Sequence, residues 1–159
     1  MRQSPDVLLI ISDDHRWCDS GCYDSADAQT PNIDRIAREG MRLDRYYTVA
    51  PMCAPARMSL YSGVYPVRNG GYPNHSRAYP ETRSIAHHLR SMGYRVGLHG
   101  KKHFGPDEVF PFDAVDDIAA FINADAGQRY CLVVGTHEPG KPVPRFLRQS
   151  AEPTVDTVG

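Results

Sequence analysis

Three short apolar runs each flow directly into polar residues at their C-terminal end, and this feature narrows the fold of the chain more than any other. Val7-Leu8-Leu9-Ile10-Ile11 leads into Asp13-Asp14. The alternating Tyr94, Val96 and Leu98 lead into Gly100-Lys101-Lys102-His103, and Tyr130-Cys131-Leu132-Val133-Val134-Gly135 leads into Thr136-His137-Glu138-Pro139. Helical patterns lie between them, so the chain is expected to form an α/β domain, a mostly parallel sheet flanked by helices. Such sheets hold ligands just beyond the carboxyl ends of their strands. Carboxylates, a cation and two histidines would then converge on one edge.

The continuous apolar run over residues 6–12 suits a strand buried on both faces. Thr30-Pro31 suits the start of a helix, with Ile33, Ile36 and Ala37 as its apolar stripe and Gly40 as its end. Met41, Leu43, Tyr47 and Val49 keep a period of two, which predicts a further strand interrupted by Arg45. Helices are predicted from near Pro55 to Gly63, over residues 84–92 with Gly93 as cap, and over residues 116–124. After Lys141 the sequence becomes proline-rich and aperiodic. The expected division is therefore a domain over residues 1–140 and an irregular tail over 141–159.

Composition excludes several classes. Lys and Arg total 18 against 19 Asp and Glu, a net charge of −1, which lacks the basic surplus of a nucleic-acid binder. The apolar run at 7–11 is too short to span a bilayer, and acidic residues follow it where a leader's cleavage site would need small ones. As written, the sequence reads as cytoplasmic, with periplasmic or lysosome-like export if a presequence is missing. Cys18, Cys22, Cys53 and Cys131 contain no C-x2-C pair, which argues against structural zinc; a Cys18–Cys22 bridge stays open.

Two constellations carry chemistry. Asp13 and Asp14 offer hard oxygens suited to Ca²⁺ or Mg²⁺, although a solvated turn after a strand would look the same. Cys53-Ala-Pro55-Ala-Arg57 places a cysteine at a helix start, where free N–H groups favour an anion, and an arginine about one turn along the same face. A buried cysteine beside a surface arginine is the plainer alternative. Three residues separate Cys53 from Arg57, too few for a tyrosine-phosphatase loop. His75, beside Asn74 in a polar loop, could touch substrate; His15 and Trp17 could line a pocket or serve packing. His99 reads as structural, His87 and His88 as partly exposed on a helix, Cys131 as buried, and Lys102 as facing substrate or solvent.

Cys53-Ala-Pro55-Ala-Arg57-Met-Ser-Leu-Tyr-Ser-Gly63 resembles the C-x-P-x-R signature of the type I sulfatases, which have an alkaline-phosphatase-like fold. The run from Asp6 to Asp14 resembles that family's first strand and metal-binding Asp pair, and residues 30–40 its first helix. Gly100-Lys101-Lys102-His103-Phe104-Gly105 resembles its G-K-x-H-x-G segment, and His137-Glu-Pro139 its later H-x-P. The segment from Gly100 to Asp113 looks most like the heparan N-sulfatase (sulfamidase) branch.

The resemblance implies that Cys53 is converted to formylglycine by a formylglycine-generating enzyme. Asp13, Asp14 and that residue would bind a divalent cation, Ca²⁺ or alternatively Mg²⁺. Arg57 would stabilise the hydrated aldehyde, and Lys101, His103 and His137 would contact the sulfate or the leaving group. The substrate would be a sulfate ester or sulfamate, on a small molecule or glycan. A phosphonate monoester or phosphodiester hydrolase of the same superfamily is the alternative, as is a catalytically inactive truncated fragment. The family's further metal ligands and second lysine lie downstream, and no matching segment follows His137. The chain therefore reads as an N-terminal portion of a catalytic domain, whose cut sheet edge would invite self-association.

Overall fold

The computed structural model describes residues 4–125 and 127–139. The proposed tail over 141–159 lies outside them. Strand β1 (Val7–Asp13) is followed by two single-turn 3₁₀ segments and helix α1 (Pro31–Glu39). Helices α2 (Cys53–Ser62), α3 (Pro66–Asn69) and α4 (Ile85–Ser91) come next, then β2 (Arg95–Gly100) and β3 (Asp113–Ala114). Helix α5 (Ile118–Asn123) and strand β4 (Tyr130–Pro139) complete the described chain. The four strands run in the order β1-β4-β2-β3, and every neighbouring pair is parallel.

Register brings the strand ends together. Central β4 pairs Val7 with Cys131 and Ile11 with Gly135 on one side, and Val96 with Cys131 and Gly100 with Gly135 on the other. Ile11, Gly100 and Gly135 thus stand level at the carboxyl edge. A bulge between Ile11 and Asp13 then turns the end of β1 before Asp13 meets Pro139.

Glycine at this edge is a packing requirement. Gly100 has φ +79, and a Cβ there would stand 2.1 Å from the carbonyl oxygen of Gly135. A Cβ on Gly135 would stand 2.5 Å from the Lys101 carbonyl oxygen and 3.3 Å from Arg57 Nη1. Backbones at the ends of β2 and β4 therefore approach closely enough for the Lys101 N–H to donate to the Gly135 carbonyl at 2.8 Å.

Two apolar clusters hold the sheet. In one, Ala54, Met58 and Tyr61 of α2 pack with Leu98, Val133, Val109 and Phe110. Phe104 meets the Tyr61 ring edge-on at 4.9 Å. In the other, Ala86 of α4 packs with Tyr94, Val96 and Cys131. Burial of this apolar surface is the main drive for docking α2 and α4 on the sheet.

Several expectations are corrected. Residues 41–49 form no strand: their side chains are exposed, and local contacts hold them instead. Arg42 bonds Asp44 at 2.7 Å, the Tyr23 hydroxyl donates to the Leu43 carbonyl at 2.9 Å, and Thr48 Oγ1 donates to the Ala50 carbonyl at 2.8 Å. Apolar alternation needs a partner strand to become a ladder, and the described sheet offers none here. β1 is not buried on both faces; Leu8 and Ile10 are exposed on the outer strand of the described sheet. The α1 stripe is likewise uncovered at Ile33 and Ile36 among the described residues. Thr30 precedes α1 but makes no side-chain cap; its hydroxyl donates to Asp34 at 2.8 Å. Helix α2 starts two residues earlier than predicted, at Cys53, and the two-residue β3 was not foreseen. All four cysteines are free, so Cys18 and Cys22 form no bridge.

The glycine requirement is testable by denaturant unfolding. Gly100→Ala combines left-handed backbone strain with a backbone overlap and is expected to cost roughly 2–5 kcal/mol. Gly63→Ala, at φ +68 with nothing within 4 Å of its Cβ position, carries the strain alone and is expected to cost about 1–2 kcal/mol. Equal losses would contradict the close approach of β2 and β4.

Candidate active site

The site is built where α2 meets the carboxyl edge of the sheet. Met52, in extended conformation with φ −111 and ψ 145, leads into α2, whose first residue is Cys53. Pro55 within the first turn needs no intrahelical N–H partner there. The helical repeat places Arg57 one turn beyond Cys53 and turns it inward, where it is 4% exposed. Arg57 Nη1 donates to the Lys101 carbonyl at 3.3 Å, and Nη2 donates to Asp13 Oδ1 at 3.5 Å. The Lys101 ammonium donates to the other oxygen of Asp13. One buried carboxylate therefore ties together the end of β1, the start of the loop after β2, and helix α2.

That carboxylate responds to its surroundings in two directions. Burial pushes the Asp13 pKa up, but the Lys101 ammonium and the Arg57 guanidinium favour the charged form and leave it below the ordinary value. His103 lies across the site, with Nδ1 2.9 Å from Cys53 Sγ and Nε2 3.1 Å from His75 Nδ1. Its pKa is lowered, first by desolvation and then by the positive charge of Lys101, by His75 and by Arg57. The ring is therefore biased toward neutrality.

A cleft of about 730 Å³ opens beside Asp13, Cys53 and Arg57. Asp13, Asp14, Cys53 and Arg57 line its floor, while Tyr46, Tyr47, Tyr65 and Leu60 line an exposed, largely apolar wall. Asp14 is exposed and has φ 52, a left-handed conformation that an aspartate tolerates better than most residues. Asp13, Asp14, Cys53, Arg57, Lys101 and His103 thus share one end of the sheet. His137 lies exposed on β4, and no described contact joins it to Cys53, His103 or Lys101.

Other polar residues serve the scaffold. His15 Nε2 lies 3.2 Å from the Asp19 carbonyl and 3.1 Å from Ser20 Oγ, although the residue also borders the cleft. Trp17 is exposed and meets Tyr23 edge-on. His99 Nδ1 lies 2.7 Å from the Val115 carbonyl, which fastens β2 to the segment after β3. The His87 ring lies 3.2 Å from the Ser84 N–H at the start of α4. Lys102 pairs with Asp107 at 2.5 Å on the surface, away from Asp13. Cys131 is buried, and burial raises its pKa. The sequence reading missed the contact of His75 with His103 and the roles of Gly100 and Gly135. For the glycines a signal existed: each ends an apolar strand run.

The donor chemistry beside residue 53 fits one side of a hard-cation site. Asp13 and Asp14 present adjacent carboxylates, but among the described residues no group of three His, Cys, Asp or Glu side chains surrounds a single cation position. Ca²⁺ takes about six to eight oxygen ligands, so the described residues supply only part of a set.

The family model for sulfatases matches residues 5–152 of the 159. The chain belongs to the sulfatase family. It is 29% identical over 153 residues to an ulvan-active sulfatase of Formosa agariphila, covering 86% of this chain and 30% of that protein. It is 35% identical over 112 residues to human N-sulphoglucosamine sulphohydrolase, covering 67% of this chain and 22% of that protein. The fold matches, with TM-score 0.80 and 22% identity, a structure solved in complex with its substrate D-glucosamine-2-N,6-O-disulfate; the match covers 95% of this chain and 39% of that one. This sulfatase chain thus spans less than a third of the length of the two curated relatives named here. Among the described residues, no helix is long and apolar enough to cross a membrane.

The Asp13 cluster sets an acid limit on stability. With its folded pKa below the unfolded value of about 3.9, the stabilisation from Asp13 is complete above that value and disappears as pH falls through the folded pKa. Asp13→Asn is expected to be less stable near neutrality and to lose less stability between neutral and acid pH. Parallel losses in both proteins, followed by denaturant titration across that range, would contradict the pairing.

Proposed function

We propose that this chain is the nucleophile-bearing part of a sulfatase catalytic domain that hydrolyses sulfate esters or sulfamates of glycans. The observation that carries the reading is Cys53 at the first position of α2, with Arg57 one turn on and His103 Nδ1 at 2.9 Å. Family membership and the names of relatives acting on ulvan and on N-sulphoglucosamine support the glycan class. A phosphonate or phosphodiester substrate is the alternative, because a metal-assisted oxygen nucleophile would serve either anion.

In this reading Cys53 is converted to formylglycine, and Asp13, Asp14 and residue 53 would supply part of the ligand set of a Ca²⁺ or Mg²⁺ ion, with further ligands from outside the described residues. Formylglycine supplies a hydrated aldehyde whose paired hydroxyls provide an attacking oxygen and a route for releasing sulfate, while the cation supplies positive charge beside it. The chain's own residues do the rest. Arg57, held by Asp13 and by the Lys101 carbonyl, keeps a guanidinium beside residue 53. Lys101 brings a second positive charge to Asp13, and both cations would balance charge growing on the sulfuryl oxygens. His103 holds a proton position at residue 53, and either His103 or His137 would give a proton to the departing oxygen or nitrogen. The Tyr46, Tyr47 and Tyr65 wall would face the rest of the substrate.

Co-expression with a formylglycine-generating enzyme, followed by mass spectrometry of the peptide bearing residue 53, is expected to reveal an aldehyde there. Turnover by the longer polypeptide carrying this chain is then expected to favour aryl sulfate over aryl phosphonate, and Cys53→Ala to abolish it. A converted residue 53 with preference for the phosphonate would overturn the sulfatase substrate assignment.

Cation binding gives a second test. Because Lys101 and Arg57 already neutralise Asp13, the isolated chain is expected to bind Ca²⁺ only with a Kd on the order of 10⁻³ M. Calorimetry should find tighter binding in Lys101→Met, since a competing positive charge is gone. Weaker binding in that variant would contradict the role given to Asp13.

A further inference from the structure

Two histidines and an asparagine form a ring of polar contacts around residue 53. Asn74 Oδ1 lies 4.0 Å from Cys53 Sγ, within the range of a weak sulfur hydrogen bond. Asn74 Nδ2 lies 3.4 Å from His75 Nε2, His75 Nδ1 lies 3.1 Å from His103 Nε2, and His103 Nδ1 lies 2.9 Å from Cys53 Sγ. The imidazole rings stand with centroids 4.9 Å apart at an angle of 47°. His75 and His103 also share an uncommon backbone state, with φ 64 and φ 48. Non-glycine residues in that region cost energy and persist only where the surroundings impose them. Both strained residues place their rings in the same chain of contacts.

With the Asn74 amide assigned Oδ1 toward Cys53 Sγ and Nδ2 toward His75 Nε2, the protons around this ring fall into one order. An amide nitrogen only donates, so His75 Nε2 faces it as an acceptor, and the His75 proton sits on Nδ1. His75 Nδ1–H then donates to His103 Nε2, which leaves the His103 proton on Nδ1, directed at residue 53. The Cys53 thiol completes the circuit by donating to Asn74 Oδ1. Every member donates once and accepts once.

We propose that His75, oriented by Asn74, is a positioning residue that fixes His103 as its Nδ1–H tautomer and so makes it a hydrogen-bond donor to residue 53. The consequence for catalysis rests on the sulfatase reading: with His103 directed at residue 53, His137 is the one of the two histidines named above that is left to protonate the leaving atom. The tautomer itself is a property of the chain as it stands.

Long-range ¹H–¹⁵N correlation spectra of the ¹⁵N-histidine-labelled chain test this directly, with the His103 signals assigned by their loss in His103→Gln. Native protein is expected to show a protonated, pyrrole-type Nδ1 and an unprotonated, pyridine-type Nε2 on His103. His75→Gly removes the ring without backbone strain, since glycine accepts φ 64. That variant is expected to shift His103 toward the Nε2–H form. His75→Gln, whose amide can still donate to Nε2, is expected to keep the native pattern. An Nε2–H ring in the native protein, an unchanged pattern in His75→Gly, or a Gln variant indistinguishable from the Gly variant would each overturn the proposal. None of these readouts depends on turnover, so a failure of the sulfatase reading would leave them separately interpretable.

Discussion

One carboxylate, that of Asp13, organises the functional end of this chain. It is buried, and it accepts from Lys101 on one oxygen and from Arg57 on the other. A buried acid without such partners would be costly, and so would the buried Arg57 guanidinium without the acid. The three side chains are therefore interdependent. Through them the end of β1, the turn after β2 and helix α2 are held at fixed separation, and Cys53 at the head of α2 comes to lie beside the sheet edge. The bulge after Ile11 aims Asp13 into this arrangement, and the bare backbones of Gly100 and Gly135 leave room for Lys101 and Arg57 to reach it.

Much of this was legible in the sequence because it follows from periodicity. Apolar runs ending in polar residues gave the parallel sheet and named the edge that holds Asp13, Lys101 and His103. The spacing of Cys53 and Arg57 placed both on one helical face, which the structure turns toward Asp13. What was not legible depended on partners distant in sequence. The alternation of Met41, Leu43, Tyr47 and Val49 imitates a strand, but no neighbouring strand exists among the described residues to pair it. His75 sits in a polar loop with no pattern of its own, and only the return of the chain 28 residues later brings His103 against it.

The uncovered surfaces follow from the same layout. Leu8 and Ile10 on β1, and Ile33 and Ile36 on α1, carry the apolar patterns of buried elements yet face outward in the described residues. The two curated relatives named above are more than three times as long as the stretch they share with this chain. The edge that gathers Asp13, Cys53 and His103 is nevertheless assembled by contacts within the described residues alone.

A double-mutant cycle measures the central interaction most directly. Denaturant unfolding of Asp13→Asn, Arg57→Met, Lys101→Met and the two Asp13-containing double variants gives the coupling of the carboxylate to each cation. A shared, buried acid requires at least about 1 kcal/mol of coupling in each pair. Additive losses, with coupling near zero in both cycles, would mean that Asp13 does not hold this site together.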